Sequence, residues 1–366
     1  MSEKRKLNVL VLFGGRSAEH EISLRSAQNV VAALDKERFN PILVGIDKDG
    51  KWYTDEAVKL LNTENPKLFK LNTTGKKVAI TGQNEAHMVS LDNYELTNSV
   101  DVVFPVLHGP YGEDGTMQGL LKLANVPFVG SSVLGSAVGM DKEVMKRLLE
   151  SAQIPVAKYA VYRDYEKIVF DEVVEKFGLP FFVKPANMGS SVGVHKVKNQ
   201  NDFEEAIKDA FQYDRKILIE EFVEGREIEC AVLGNDFPEA SIPGEIVVHT
   251  EFYSYETKYI DEKGAKLEIP ANISEETKKQ IQNLSIKTFK TLCAEGLARV
   301  DFFLKKTGDI LVNEINTMPG FTSVSMYPLL WKASGVSYTE LISKLIDLAL
   351  ERFEKEKKLK NSFFDV

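Results

Sequence analysis

The chain has 366 residues, 43% hydrophobic and 27% charged, the proportions of an ordinary soluble globular protein, and its length favours two or three domains over one very large core. Lys and Arg total 46 against 54 Asp and Glu; the net charge of −8 disfavours nonspecific binding to nucleic acid or an anionic membrane, though a local basic pocket for a phosphate remains compatible with it. No apolar run approaches the roughly 18 residues of a membrane span, and the basic start Met1–Lys6 is not followed by a signal-peptide core, so the cytoplasm is the expected location.

Leu7–Phe13 is a nearly continuous apolar run, suited to a strand buried on both faces, and it ends at Gly14-Gly15-Arg16-Ser17. Leu24, Ala27, Val30, Val31 and Leu34 then repeat at helical spacing, and Pro41–Ile46 supplies another strand, which makes a βαβ start. The glycine pair invites a dinucleotide reading. The third glycine of that fingerprint is missing and Glu19 occupies the loop, which argues against nicotinamide binding. Residues 51–98 are polar and weakly patterned, a peripheral insertion of short strands. Val100–Pro105 restores a buried strand, and His108-Gly109-Pro110-Tyr111-Gly112-Glu113-Asp114-Gly115 leads into a helix over Met117–Ala124. Loops crowded with small residues at the end of a parallel strand are where α/β folds place ligand contacts. His108 there either faces a ligand or caps the turn.

Val126–Val129 closes a first domain expected over 1–136, and Asp141 is a natural N-cap for the helix that follows. A second, α+β unit over 137–224 has expected strands at Ala157–Tyr162, Phe181–Lys184, Val194–Val197 and Ile217–Glu220, with helices at Tyr165–Phe177 and Asp202–Phe211. In the loop Pro185–Gly193, Gly189 and Gly193 permit close backbone approach, and Ser190, Ser191 and consecutive N–H groups can form an anion-holding nest. A flexible turn is the plainer alternative, and no Gly-Lys-Ser/Thr ends the loop as in a Walker A motif. Lys184 before it and Glu220-Glu221-Phe222-Val223 on a neighbouring strand offer a cation for phosphate and acceptors for sugar or base. Glu220–Glu227 spans the domain exit, where a hinge and a cleft are expected.

The third unit, 225–366, begins with the strand Glu229–Leu233 and the segment Gly244–Val248. The polar, aromatic stretch His249–Tyr259 is either a water-excluding lid or a loop packed on its own domain. Ser274–Gly296 reads as a long helix and Thr339–Lys355 as an amphipathic C-terminal one, while Cys230 and Cys293, without metal-ligand spacing, are expected as core thiols in a reducing compartment. Between those helices, Ala298–Leu304 and Ile310–Thr317 form a β-hairpin closed around Gly308. Alternation groups Arg299, Asp301 and Phe303 on one arm, and Val312, Glu314 and Asn316 on the other. If Asp301 lies opposite Glu314, two like charges repel across the ladder unless a cation, a proton or solvent intervenes. Two carboxylates and an amide are an oxygen donor set that suits Mg²⁺; an ordinary surface hairpin is the alternative. Pro319, with no N–H, forces Thr317–Ser323 out of the sheet beside that pair.

Taken together, Gly14–Glu21, His108–Gly115, Lys184-Pro185 with Gly189–Gly193, Tyr255-Glu256-Thr257-Lys258-Tyr259, Arg299-Val300-Asp301 and Asn313–Gly320 resemble the D-alanine:D-alanine ligases of the ATP-grasp superfamily over essentially the whole chain. The resemblance implies α/β and α+β units in a three-domain ATP-grasp architecture with an N-terminal parallel-sheet domain. It implies ATP grasped between the second and third domains and two D-alanines bound between the first and third. Glu19 would hold the first D-alanine's ammonium, linked to Ser190 and Tyr259, with His108 as a further substrate-site group. Lys142 and Lys184 would contact phosphates, and Ser190, Ser191, Glu220, Glu221, Val223 and Glu227 would line the nucleotide. Asp301, Glu314 and Asn316 would hold two Mg²⁺ or Mn²⁺ ions, with K⁺ an optional addition. Arg299 and the Gly320 N–H would be oxyanion donors, and Lys258, Ser325 and Met326 would receive the second substrate's carboxylate, or a phosphate in the case of Lys258.

A homodimer is expected, and the net charge of −8 speaks against a nucleic-acid or membrane partner. Ala298 and Met318 depart from the family's glycine and serine, positions whose side chains the chemistry does not require. Retention of Tyr259 favours an amine over a hydroxy acid as second substrate. The alternatives are a ligase making D-alanyl-D-lactate or D-alanyl-D-serine, and a non-catalytic nucleotide-binding regulator.

Overall fold

The computed structural model describes residues 5–55, 71–82, 86–248 and 265–360. The first unit runs β1 Leu7–Gly14, α1 His20–Ala33, β2 Phe39–Ile46, β3 Trp52–Thr54, β4 Lys76–Gly82, β5 Ala86–Ser90, β6 Leu96–Ser99, β7 Val102–Val106, α2 Thr116–Leu123 and α3 Val133–Met140. Its sheet has the order β6-β5-β4-β3-β2-β1-β7, with β1 parallel to both β2 and β7. Elements cover both faces of that parallel core, and Val9–Phe13 is fully buried as the unbroken apolar run requires. The insertion supplies β3 to β6, which extend the sheet in antiparallel fashion. Val126–Val129 makes one parallel bridge, Phe128 to Val103, rather than a strand.

Next come α4 Lys142–Ser151, β8 Tyr159–Arg163, α5 Phe170–Phe177, β9 Phe181–Pro185, β10 His195–Val197, α6 Gln200–Ala210 and β11 Lys216–Glu221. The strands form an antiparallel sheet in the order β10-β9-β11-β8. Phe181, Val183, Ile217 and Ile219 pack on Phe203 and Ala206 of α6. Alternation therefore turns Lys184 and Glu220 to the opposite face. The helix expected from Tyr165 starts only at Phe170, because Glu166 folds back to accept the Arg163 N–H at 2.5 Å and makes a turn there.

The last unit contains β12 Gly225–Gly234, β13 Glu239–Ala240, β14 Gly244–Val248, β15 Ala265–Glu268, α7 Glu275–Thr291, β16 Gly296–Lys305, β17 Ile310–Asn316, α8 Met326–Ala333 and α9 Tyr338–Glu356. Its sheet runs β15-β14-β12-β16-β17, with β13 paired to β12. One face packs Cys230, Val232, Val300 and Phe302 on Ile281 and Phe289 of α7, and α4 adds Met145 and Leu149 to that same core. Cys293 differs from expectation: it follows α7 with a φ of 54° and is exposed, turned away from the core. No helix among the described residues is long and apolar enough to cross a membrane.

The first and third units share one hydrophobic core, in which Val11, Phe104 and Val106 meet Leu233, Phe321, Tyr327 and Leu345. Buried Arg352 of α9 crosses the seam, donating to the carbonyls of Phe128 at 2.8 Å and Gly130 at 2.5 Å. The loop after β7 grips Met318 from both sides: His108 Nδ1 lies 3.0 Å from its carbonyl, and Glu113 Oε1 accepts its N–H at 3.1 Å. Desolvation, with the Glu19 carboxylate nearby, pushes the Glu113 carboxyl up to about 8.

Two stability predictions follow from the seam. Replacing Arg352 with Met strips two buried carbonyls of their donor and should cost about 2–3 kcal/mol of unfolding free energy measured in urea, whereas Arg38→Ala, which breaks an exposed pair with Asp347, should cost under about 1 kcal/mol. Glu113 stays protonated in the fold up to about 8 but ionises from about 4.5 when unfolded, so its contribution is complete below 4.5 and lost as pH rises through 8. Thermal melts from pH 5 to 9 should show wild type losing ground to Glu113→Gln as pH rises.

Candidate active site

The hairpin β16–β17 pairs Arg299 with Asn316 and Asp301 with Glu314. A register shift between Asp301 and Phe302 inserts Asn313 as an extra residue. That bulge corrects the expected grouping at one place, since Val312 joins the α7 side of the sheet while Glu314 and Asn316 stay with Arg299. On this face Asp301 accepts two bonds from Arg299, both at 2.7 Å, and one from Asn316 Nδ2 at 3.0 Å. Arg299 also pairs with Glu229 at 2.9 Å, and Glu314 lies 3.8 Å from the Lys142 ammonium. Burial works against the Arg299 charge, but Asp301 and Glu229 outweigh it and hold the guanidinium well above its ordinary range.

These residues fit a divalent cation by their chemistry. Carboxylate oxygens of Asp301 and Glu314 lie on neighbouring strands, and turning the Asn316 amide about its last bond offers its oxygen in place of nitrogen. Among the described residues no three His, Cys, Asp or Glu side chains form a complete cage. A cation here would therefore take its remaining ligands from a bound substrate or water, as Mg²⁺ commonly does.

Facing the hairpin is a cluster of buried lysines. Asp141 caps α4 by accepting the Glu143 and Val144 N–H groups, each at 3.1 Å, and pairs with Lys216 of β11. The cap starts the helix so that Lys142 and Lys146, one turn apart, point the same way. Glu220 sits between Lys146 at 3.2 Å and Lys184 at 2.7 Å. Burial lowers both α4 lysines and would by itself raise Glu220; Lys146 and Lys184 outweigh that and keep the carboxyl below its ordinary range. Lys142 donates to the Met188 carbonyl at 2.6 Å, inside the loop between β9 and β10. Ser190 and Ser191 in that loop hold φ values of 51° and 59°, a strained pair of the kind that builds anion nests. Glu221 accepts the Lys158 N–H at 2.9 Å, and Val223 and Glu227 are half-buried where β11 passes into β12.

Glu19, just before α1, bonds the Ser190 hydroxyl and so ties the loop to the first unit. Glycines at 109 and 189 make room for it, because a Cβ there would lie 2.7 and 3.1 Å from its Oε2. His108 is buried, and its two nitrogens are engaged by Met318 and by Ser26 at 3.0 Å. The Met318 carbonyl only accepts, so Nδ1 carries the proton and Nε2 accepts from the Ser26 hydroxyl. Gly320 packs against Ser325, whose Oγ would lie 2.7 Å from a Cβ and which accepts the Thr322 N–H at 3.0 Å. The Met326 side chain is buried in the shared core, so the group it can offer a ligand is its backbone N–H at the start of α8. Lys258 and Tyr259, with the whole stretch from His249, lie outside the described residues.

Lys146, Glu113 and Glu229 complete this constellation and were not singled out from the sequence. For Lys146 the sequence does carry a signal, its place at i+4 from Lys142 on a helix that Asp141 caps. Glu229 precedes the core residue Cys230 and has no motif of its own.

Residues 8–131 match the family described as D-ala D-ala ligase N-terminus, and residues 148–347 match D-ala D-ala ligase C-terminus. A D-alanine–D-alanine ligase of Shouchella clausii is 54% identical, with all of both chains covered. D-alanine–D-alanine ligase A of Escherichia coli K12 is 49% identical over 98% of this chain and 99% of its own. Among solved structures, the D-alanine-D-alanine ligase of Coxiella burnetii superposes with a TM-score of 0.84 at 38% identity, covering 96% of each chain. The VanG D-Ala:D-Ser ligase of Enterococcus faecalis gives 0.81 at 36%, covering 94% of this chain and all of its own. The chain thus belongs to the D-alanine–D-alanine ligase family and carries its ATP-grasp fold.

Proposed function

We propose that this protein joins two D-alanines into D-alanyl-D-alanine at the expense of ATP, releasing ADP and phosphate, for cell-wall precursor synthesis. The observation that carries the reading is the facing of Asp301 and Glu314 toward a buried lysine cluster, within a chain that matches such ligases from end to end. A carboxylate cannot be displaced directly by an amine, because the oxygen leaving group is too poor. The first D-alanine's carboxylate oxygen therefore takes the γ-phosphoryl group of ATP, ADP departs, and an acyl phosphate results. The second D-alanine's amine then attacks the carbonyl carbon, phosphate leaves with the C–O bonding pair, and the amine gives up a proton.

Each step asks something of named residues. Lys142 and Lys184 hold phosphates, beside the nest of Ser190 and Ser191 and the nucleotide-lining Glu220, Glu221, Val223 and Glu227. Glu19 holds the first ammonium, within reach of Ser190. Arg299 and the Gly320 N–H stabilise the oxyanion, while Ser325, the Met326 N–H and Lys258 receive the second carboxylate. Two Mg²⁺ or Mn²⁺ ions, held by Asp301, Glu314 and Asn316, would supply charge neutralisation at the transferring phosphoryl group.

The cytoplasm is the natural compartment for an ATP-consuming enzyme, and exposed Leu123 and Leu134 on α2 and α3 support a homodimer. K⁺ would be an accessory. A second reading, D-alanyl-D-serine formation, is favoured by the likeness to the VanG structure. Chromatographic identification of the product from ATP, Mg²⁺, D-alanine and D-serine decides between them. A mixed dipeptide as the main product, with both amino acids present, would overturn the leading reading.

Glu314→Gln should lower phosphate release by about a hundredfold or more, the scale of losing one preorganised electrostatic group, with circular dichroism unchanged; near-normal turnover would remove the metal assignment. Tyr259→Phe should weaken the preference for D-alanine over D-lactate, measured as the ratio of kcat/KM values, and unchanged selectivity at high pH would count against its role.

A further inference from the structure

Lys146 has no role in the chemistry above, yet it is fully buried and its nearest charged group is Glu220. A buried lysine is costly unless its charge is used. It comes from α4, whose Met145 and Leu149 are embedded in the core beneath the third sheet. Glu220 and Lys184 come from the second sheet, on adjacent antiparallel strands. The Lys146–Glu220 contact therefore links the core beneath the third sheet to the second sheet, the pair between which the nucleotide is proposed to lie. Its ammonium lies 5.6 Å from the ring centroid of Tyr159, the strand partner of Glu220, so little space remains for it to swing elsewhere.

Lys146 stands 3.2 Å from Oε1 of Glu220 as a charge without hydrogen-bond geometry, and Lys184 pairs with Oε2 at 2.7 Å. With Lys146 absent, both carboxylate oxygens would turn to Lys184 and draw its ammonium back against the sheet, and the cleft would lose one positive charge.

We propose that Lys146 is a positioning residue for the nucleotide phosphates: by claiming one oxygen of Glu220 it limits the grip of that carboxylate on Lys184 and keeps the Lys184 donors turned to phosphate. This rests on the ATP-binding reading above. It acts on the phosphates through Lys184; Glu221, Val223 and Glu227 keep their places, and Glu220 is the one nucleotide-lining acid it touches, which separates it from a general structural role.

Calorimetric titration of the full-length protein with ADP and with adenosine tests the idea. Lys146→Met should weaken ADP about tenfold or more, the scale of losing a charged hydrogen bond, and should leave adenosine within about twofold. Lys146→Arg, which can hold both Glu220 oxygens at once, should bind ADP as tightly as wild type or more tightly. In steady state the Met variant should show a raised KM for ATP with the KM for D-alanine unchanged. Equal weakening of ADP and adenosine, or no weakening, overturns the proposal. Should the Met variant fail to fold, ADP binding by Lys146→Arg about tenfold weaker than wild type overturns it alone. Wild-type protein that binds neither ADP nor adenosine would overturn the ligase reading as well, which distinguishes the two failures.

Discussion

Placing Asp301 opposite Glu314 on adjoining strands is unfavourable in isolation, and much of the surrounding structure answers it. Arg299 is clamped by Asp301 and Glu229, and Lys142 reaches toward Glu314. Lys142 is buried and Arg299 largely shielded, so each needs the acids as much as the acids need it. The balance is one of sharing rather than of closed pairs. A polyphosphate and a divalent cation entering together would exchange partners without leaving any of these charges alone.

The same economy of charge extends across the cleft, where Glu220 divides itself between Lys146 and Lys184. Fixed charges of this sort require rigid supports. The supports here are a capped helix, two central sheets with one face packed on helices, and a seam stitched by Arg352, His108 and Glu113. His108 illustrates how a motif residue can serve architecture. With Ser26 and Met318 engaging its ring, it fixes the loop that leaves β17 directly against the first unit.

Much of this was legible in the residues themselves. Apolar runs and period-two alternation marked the parallel core and the acid hairpin, because burial on two faces or on one leaves those patterns. The bulge at Asn313 was not legible, since it changes which side Val312 takes without altering composition. Glu113 was visible only as one acid in a glycine-rich loop; its partner, the Met318 N–H, lies more than two hundred residues onward, and such pairings leave no local trace. Cys293 has an apolar neighbourhood in sequence, yet its own left-handed backbone, two positions past α7, leaves it exposed.

The core shared by the first and third units has a consequence for synthesis. Val11 and Phe104, laid down early, are covered by Leu345 and Ile346 of the final helix. On the ribosome the opening sheet must wait, with that face still wet, until α9 has emerged about 240 residues after Phe104. Such long-range closure is slow and leaves sticky surface exposed in the interval. The nascent chain is thus a natural client for chaperones, and nonsense mutations removing only the last helix would strand the beginning of the molecule as surely as its end.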